Sequence, residues 1–94
     1  MDYEMMVILK PLLPEDIRAG VLKRINTLVK EHKGSIKSED VWGKRHLAYP
    51  IKNHEEGYYI VYNLELESDQ VQDLQRELKL ISDILRFLLI KQEK

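Results

Sequence analysis

The chain has 94 residues, 44% of them hydrophobic and 33% charged, which suits one domain around one modest core and excludes a disordered chain. It contains no cysteine, so a disulfide framework and thiolate chemistry are excluded and a reducing cytoplasm is the expected setting. Fifteen Lys and Arg stand against sixteen Asp and Glu, a formal charge of -1, so any binding to nucleic acid must use a local basic face rather than overall charge.

Tyr3 to Lys10 reads as a buried strand, with Met5, Val7 and Leu9 on one face and Glu4, Met6, Ile8 and Lys10 on the other. Pro11 and Pro14 end its ladder, and Pro14 is suited to start a helix because the first turn does not need its missing N–H. The helix is expected over Pro14 to Lys33. Its stripe is Ile17, Val21, Ile25, Leu28 and Val29, its start is acidic (Glu15, Asp16), its end is basic (Lys30, Lys33), and Gly34 serves as a left-handed stop.

Ile36 to Ala48 is a second extended segment. Its imperfect alternation fits an edge strand, with Gly43 as a bulge or bend. Residues 49 to 57 are expected to turn. Tyr58 to Leu66 then alternates clearly, with Ile60, Tyr62, Leu64 and Leu66 on one face and Tyr59, Val61, Asn63 and Glu65 on the other. Ser68 is the expected N-cap of a helix running to about Leu80, buried through Val71, Leu74 and Leu78, and Ile84 to Lys91 is the last strand.

The order βαββαβ, with two amphipathic helices that each need an apolar sheet face, predicts one domain spanning 1–94. The expected fold is α+β: a ferredoxin-like split βαβ arrangement, with a four-stranded antiparallel sheet in the order 4-1-3-2 and both helices on one face. The other face is then open. It would carry Met6, Ile8, Tyr59, Val61, Leu88 and Ile90, and one aromatic among aliphatics makes a better protein-docking surface than a base-stacking platform.

Lys44, Arg45, His46, Tyr49 and Lys52 cluster around the strand end, and Arg86 lies among the apolar residues of the last strand. These are the candidate cations for phosphate, set against the plainer reading of solvated edge charges. Tyr49, held extended by Pro50, either stacks on a base or packs its ring; Trp42 is either an interface anchor or half-buried against the hairpin. Catalytic readings have little support. His32, His46 and His54 are dispersed, Glu55 and Glu56 diverge, Asp40 and His46 come with no nucleophile signature, and the glycines match no phosphate-binding loop. No metal or other cofactor is expected. No apolar run approaches the roughly 20 residues that a membrane-spanning helix needs, so no membrane partner is expected either.

The segment Gly43-Lys44-Arg45-His46-Leu47-Ala48-Tyr49-Pro50-Ile51 resembles the bacterial small-subunit ribosomal protein six family. So do the Tyr3-Glu4 strand leading into Met5 to Lys10 and Pro11, the Gly57-Tyr58-Tyr59 strand entry and the final Arg86 strand, and the resemblance covers essentially the whole chain. It implies a noncatalytic, cytoplasmic constituent of the small subunit that binds small-subunit ribosomal RNA together with ribosomal protein eighteen and is monomeric when isolated. It further implies that Lys44, Arg45, His46, Tyr49, Lys52 and Arg86 face RNA or its junction with the partner, Arg45 and Arg86 foremost. Met6, Ile8, Trp42, Tyr59, Val61, Leu88 and Ile90 are the expected protein-facing set. The alternative is a ferredoxin-like protein-interaction or regulatory domain that uses the same aliphatic face without RNA.

Overall fold

Two periodicities organise the molecule, one of two residues and one of 3.6. The structure, a computed structural model, describes the backbone of residues 1–51 and 54–92 and the side chains of 1–47 and 54–92. The elements in chain order are β1 (Asp2–Leu9), α1 (Glu15–Glu31), β2 (Ser35–Ile51), β3 (His54–Glu65), a 3-10 turn (Ser68–Gln70), α2 (Val71–Lys79) and β4 (Ile84–Lys91). The strands form one sheet in the order β2-β3-β1-β4 with every neighbouring pair antiparallel, which is the expected order read from the other edge. Interleaving β3 between β1 and β2 splits each βαβ unit, the ferredoxin-like arrangement.

One face of the sheet carries Tyr3, Met5, Val7, Leu9, Ile60, Tyr62 and Leu64, all buried in a single core with Val21, Ile25, Leu28 and Val29 of α1 and Leu74 and Leu78 of α2. α2 has only nine residues, too few to persist alone in water, so packing rather than propensity holds it. Leu74 and Leu78 are fully buried, and truncating either to Ala would cost about 2–5 kcal/mol. Ile17 departs from the expected buried stripe: it is 46% exposed, on the rim of a shallow groove of about 390 Å³ that Gly20, Leu80 and Ile81 also line.

The end of α1 differs from expectation in an instructive way. The residue with positive φ is Lys33, at 63°, not Gly34. Lys33 N–H donates to Lys30 O at 3.0 Å and Gly34 N–H to Val29 O at 2.8 Å, the paired bonds of a Schellman stop. Gly34 is needed for space: a Cβ there would lie 2.9 Å from both Glu65 O and Leu66 Cδ1.

The remaining boundaries shift modestly. Ser68 does not cap α2, whose N-cap is Gln70 with no side-chain cap bond; Ser68 instead opens the preceding 3-10 turn. Of the turn expected over 49 to 57, residues 49–51 and 54–57 are strand, because β2 runs to Ile51 and β3 starts at His54; residues 52 and 53 lie outside the described residues. β2 is an edge strand, the place where a sheet tolerates a proline, and Pro50 restricts Tyr49 toward extended backbone.

Candidate nucleic-acid and protein interface

The register of the central strands assembles the open face row by row. Ile8 of β1 stands opposite Tyr59 of β3 and Arg86 of β4, Met6 opposite Val61 and Leu88, and Glu4 opposite Asn63 and Ile90. Directly paired residues project to the same side of a sheet, so the six apolar residues expected outward do share one face. Ile8 and Val61 in its centre are each only 7% exposed, whereas Leu88 and Ile90 toward the β4 edge are 42% and 54% exposed.

Trp42 joins this face through a bulge. The β2–β3 register slips between Val41 and Gly43, where Val41 pairs with Ile60 and Gly43 with Tyr59. Gly43 supplies the bend with φ 80°, a conformation that costs a residue with a Cβ far more than it costs glycine. The Trp42 ring lies nearly parallel to that of Tyr59, 9° between planes and 6.4 Å between centroids, and its Nε1–H donates to Asp40 Oδ2 at 3.2 Å. Half-exposed as it is, the indole caps the β2 side of the apolar surface.

The same slip governs the cations. Beyond it, Arg45 pairs with Gly57 and so falls on the open face, its Nε–H donating to Trp42 O at 3.3 Å and its Cζ 6.0 Å from the Trp42 ring. Lys44 pairs with Tyr58 and His46 with Glu56, which sets both on the opposite, helix-side face. The basic cluster of the sequence is therefore divided: Arg45 and Arg86 border the apolar face from its two sides, and Lys44 and His46 lie behind it. Tyr49 falls within the end of β2, its side chain outside those described, and Lys52 lies outside the described residues.

Asp40 and His46 do not meet, since Asp40 pairs with Val61 on the open face and His46 with Glu56 on the other. His32 turns back on its own helix, Nδ1 2.8 Å from Leu28 O. Among the described residues no group of three His, Asp or Glu side chains is placed to hold a metal ion, and no helix is long and apolar enough to cross a membrane. Lys37 holds its proton more tightly than usual, chiefly through its 2.8 Å hydrogen bond to Asp2 Oδ1, with Glu65 adding attraction; this is a surface pairing at the far end of β2. Arg18 was missed by sequence reasoning. Its Cζ sits 4.3 Å from the Tyr58 ring centroid, a contact between α1 and β3 that no local period reports.

A family model described as Ribosomal protein S6 matches residues 2–91. The chain belongs to the ribosomal protein S6 family. It is 44% identical over 93 residues to the small ribosomal subunit protein bS6 of Corynebacterium urealyticum, an alignment covering 99% of this chain and 98% of the relative. The bS6 protein of Caldanaerobacter subterraneus is 40% identical over 90 residues, covering 96% and 95%. Among solved structures, the crystal structure of 30S ribosomal protein S6 from Thermotoga maritima superposes with a TM-score of 0.91 at 29% identity, covering 97% of this chain and 86% of that one. Membership makes the chain a structural protein of the small ribosomal subunit rather than a member of an enzyme family.

Proposed function

We propose that the chain binds small-subunit ribosomal RNA together with ribosomal protein eighteen, in the cytoplasm and without catalysis. The observation that carries this reading is the composition of the open sheet face. Met6, Ile8, Val61, Leu88 and Ile90 form its apolar centre, the Trp42–Tyr59 stack closes one side, and Arg45 and Arg86 stand at opposite margins. Three strand spacings of about 4.8 Å put Arg86 roughly 14 Å from the β2 position in its row, wide enough for a packed side-chain surface between the cations.

Such a surface divides labour. Aliphatic side chains with two exposed members favour a protein partner, since desolvating them is favourable and asks for no base-specific geometry. The flanking guanidinium groups suit phosphate at the seam where protein meets RNA. A chain with a formal charge of -1 has little general attraction for RNA, so a basic partner supplies the remaining charge. The partner's identity follows from the family resemblance.

The test is cofractionation. Material purified from cells is expected to travel with small ribosomal subunits and, after nuclease treatment, to retain a small basic protein. Absence of the native chain from the small-subunit fraction would end the proposal. Retention of a protein partner with no RNA dependence at all would favour the interaction-domain alternative.

A further inference from the structure

The division of the basic cluster leaves Lys44 behind the sheet, and α1 brings Arg18 to the same place. Resting on the RNA-binding reading above, we propose that Arg18, Tyr58 and Lys44 form a second phosphate-backbone contact for RNA on the helix side of the β2–β3 hairpin, so that RNA engages this hairpin on both faces.

Three observations converge on it. The Arg18 guanidinium lies over the Tyr58 ring at 4.3 Å, within the range of a cation–π contact, which restrains the planar fork for donation to phosphate oxygens. Lys44 is the cross-strand partner of Tyr58, and directly opposed residues have their Cβ atoms about 5 Å apart on one face, so the ring separates two cations. Among the described residues neither cation takes part in an ion pair, although Glu15 and Asp16 open α1 one turn earlier. The next pair on this face of the hairpin, His46 and Glu56, brings a carboxylate and closes the cationic surface, which is why His46 is not part of it.

Topology makes this surface reachable. The last β1–β3 pair is Leu9 with Tyr58, while the β2–β3 ladder goes on through Arg45 and Gly57 to Ile51 and His54. The hairpin thus runs past the edge of β1. Lys44 stands in the last row that β1 reaches and Arg45 one residue beyond it, on opposite faces of the edge strand β2, and both are exposed. A folded RNA offers phosphates in several directions around a projecting hairpin, and two cations on one side with one on the other fit such an enclosing polyanion better than a single peptide chain.

The experiment uses the full chain with ribosomal protein eighteen and small-subunit ribosomal RNA, with affinity measured across a salt series. The double variant Arg18→Ala/Lys44→Ala is expected to bind about tenfold more weakly, with the slope of log affinity against log salt reduced by about one unit per lost phosphate contact. Arg18→Lys should fall between, keeping the charge but losing the flat stack. Lys44→Glu, at an exposed edge position, serves as the second variant should loss of Arg18 disturb Tyr58. Wild-type affinity and slope in both the double variant and Lys44→Glu would overturn the inference while leaving RNA binding in place. Weakened pairing with ribosomal protein eighteen in the absence of RNA would overturn it in favour of a protein contact. Failure of the wild-type pair to bind RNA would remove the underlying reading, and this inference with it.

Discussion

Trp42 and Arg45 are three residues apart on one strand and share one face of the sheet, with the guanidinium carbon 6.0 Å from the indole ring. In a regular strand an odd separation puts side chains on opposite faces. The slip between Val41 and Gly43 inserts one residue and restores the match, so a single glycine with φ 80° joins the aromatic cap of the apolar surface to the cation beside it.

That dependence makes Gly43→Ala a test of backbone geometry alone. A Cβ at Gly43 meets nothing within 4 Å, so any loss comes from the left-handed conformation, about 1–2 kcal/mol. Gly43→Asn should lose less, because Asn tolerates that region. Urea unfolding of the three proteins measures the series. Equal midpoints would show that the bulge does not require the glycine.

At the end of α1 two adjacent residues should respond in opposite directions. Lys33 holds the positive φ of the stop, so Lys33→Gly relieves strain and should add about 0.5–1 kcal/mol after the extra unfolded-state entropy of glycine is counted. Gly34→Ala should cost about 1–3 kcal/mol, because the added methyl presses on a backbone carbonyl that cannot swing aside. Thermal unfolding of both variants reads the signs, and a stabilising Gly34→Ala would refute the close-packing explanation.

Tyr62 carries a pH signature. Its ring is fully buried, its hydroxyl has no hydrogen-bond partner among the described residues, and burial pushes its ionisation well above the ordinary 10.0, with Glu39 adding to the shift. Tyr62→Phe should therefore be neutral or stabilising by up to about 1–2 kcal/mol near pH 7. Above pH 10 the unfolded chain releases this proton while the folded chain keeps it. The unfolded state then binds fewer protons, and stability falls as pH rises. Urea midpoints from pH 7 to 11 should diverge in favour of Tyr62→Phe on the alkaline side; parallel curves would contradict the assignment.

The sheet order was legible because alternation in β1 and β3 and the two amphipathic stripes admit few arrangements, and the open-face set of Met6, Ile8, Tyr59, Val61, Leu88 and Ile90 followed from the same parity. The basic cluster was legible in composition but not in direction. Parity beyond a bulge depends on where the extra residue falls, and Gly43 signalled a bend without saying which neighbours it would turn. Arg18 left no trace in sequence, because its contact with Tyr58 depends on how α1 crosses the sheet. Gly34 marked the right place for the wrong reason, since glycine at a helix end signals a left-handed turn and a tight approach equally well.

The open face should separate folding from assembly most cleanly at its β4 margin. Leu88 is 42% exposed and Ile90 54%, so each already gives up much of its burial in the isolated chain, and Leu88→Glu or Ile90→Glu should change folding stability by no more than about 0.5 kcal/mol. In a docked complex the same carboxylate would be buried without a partner, which costs far more than the lost apolar contact. Association with ribosomal protein eighteen should accordingly fall at least about tenfold for either variant, while thermal unfolding stays near wild type. Met6→Glu is the informative contrast: Met6 pairs with both Val61 and Leu88 in the middle of the sheet, so it should lose stability as well as binding. Undiminished pairing by Leu88→Glu and Ile90→Glu would move the partner's seat off the β4 side of this face and toward the Trp42–Tyr59 stack.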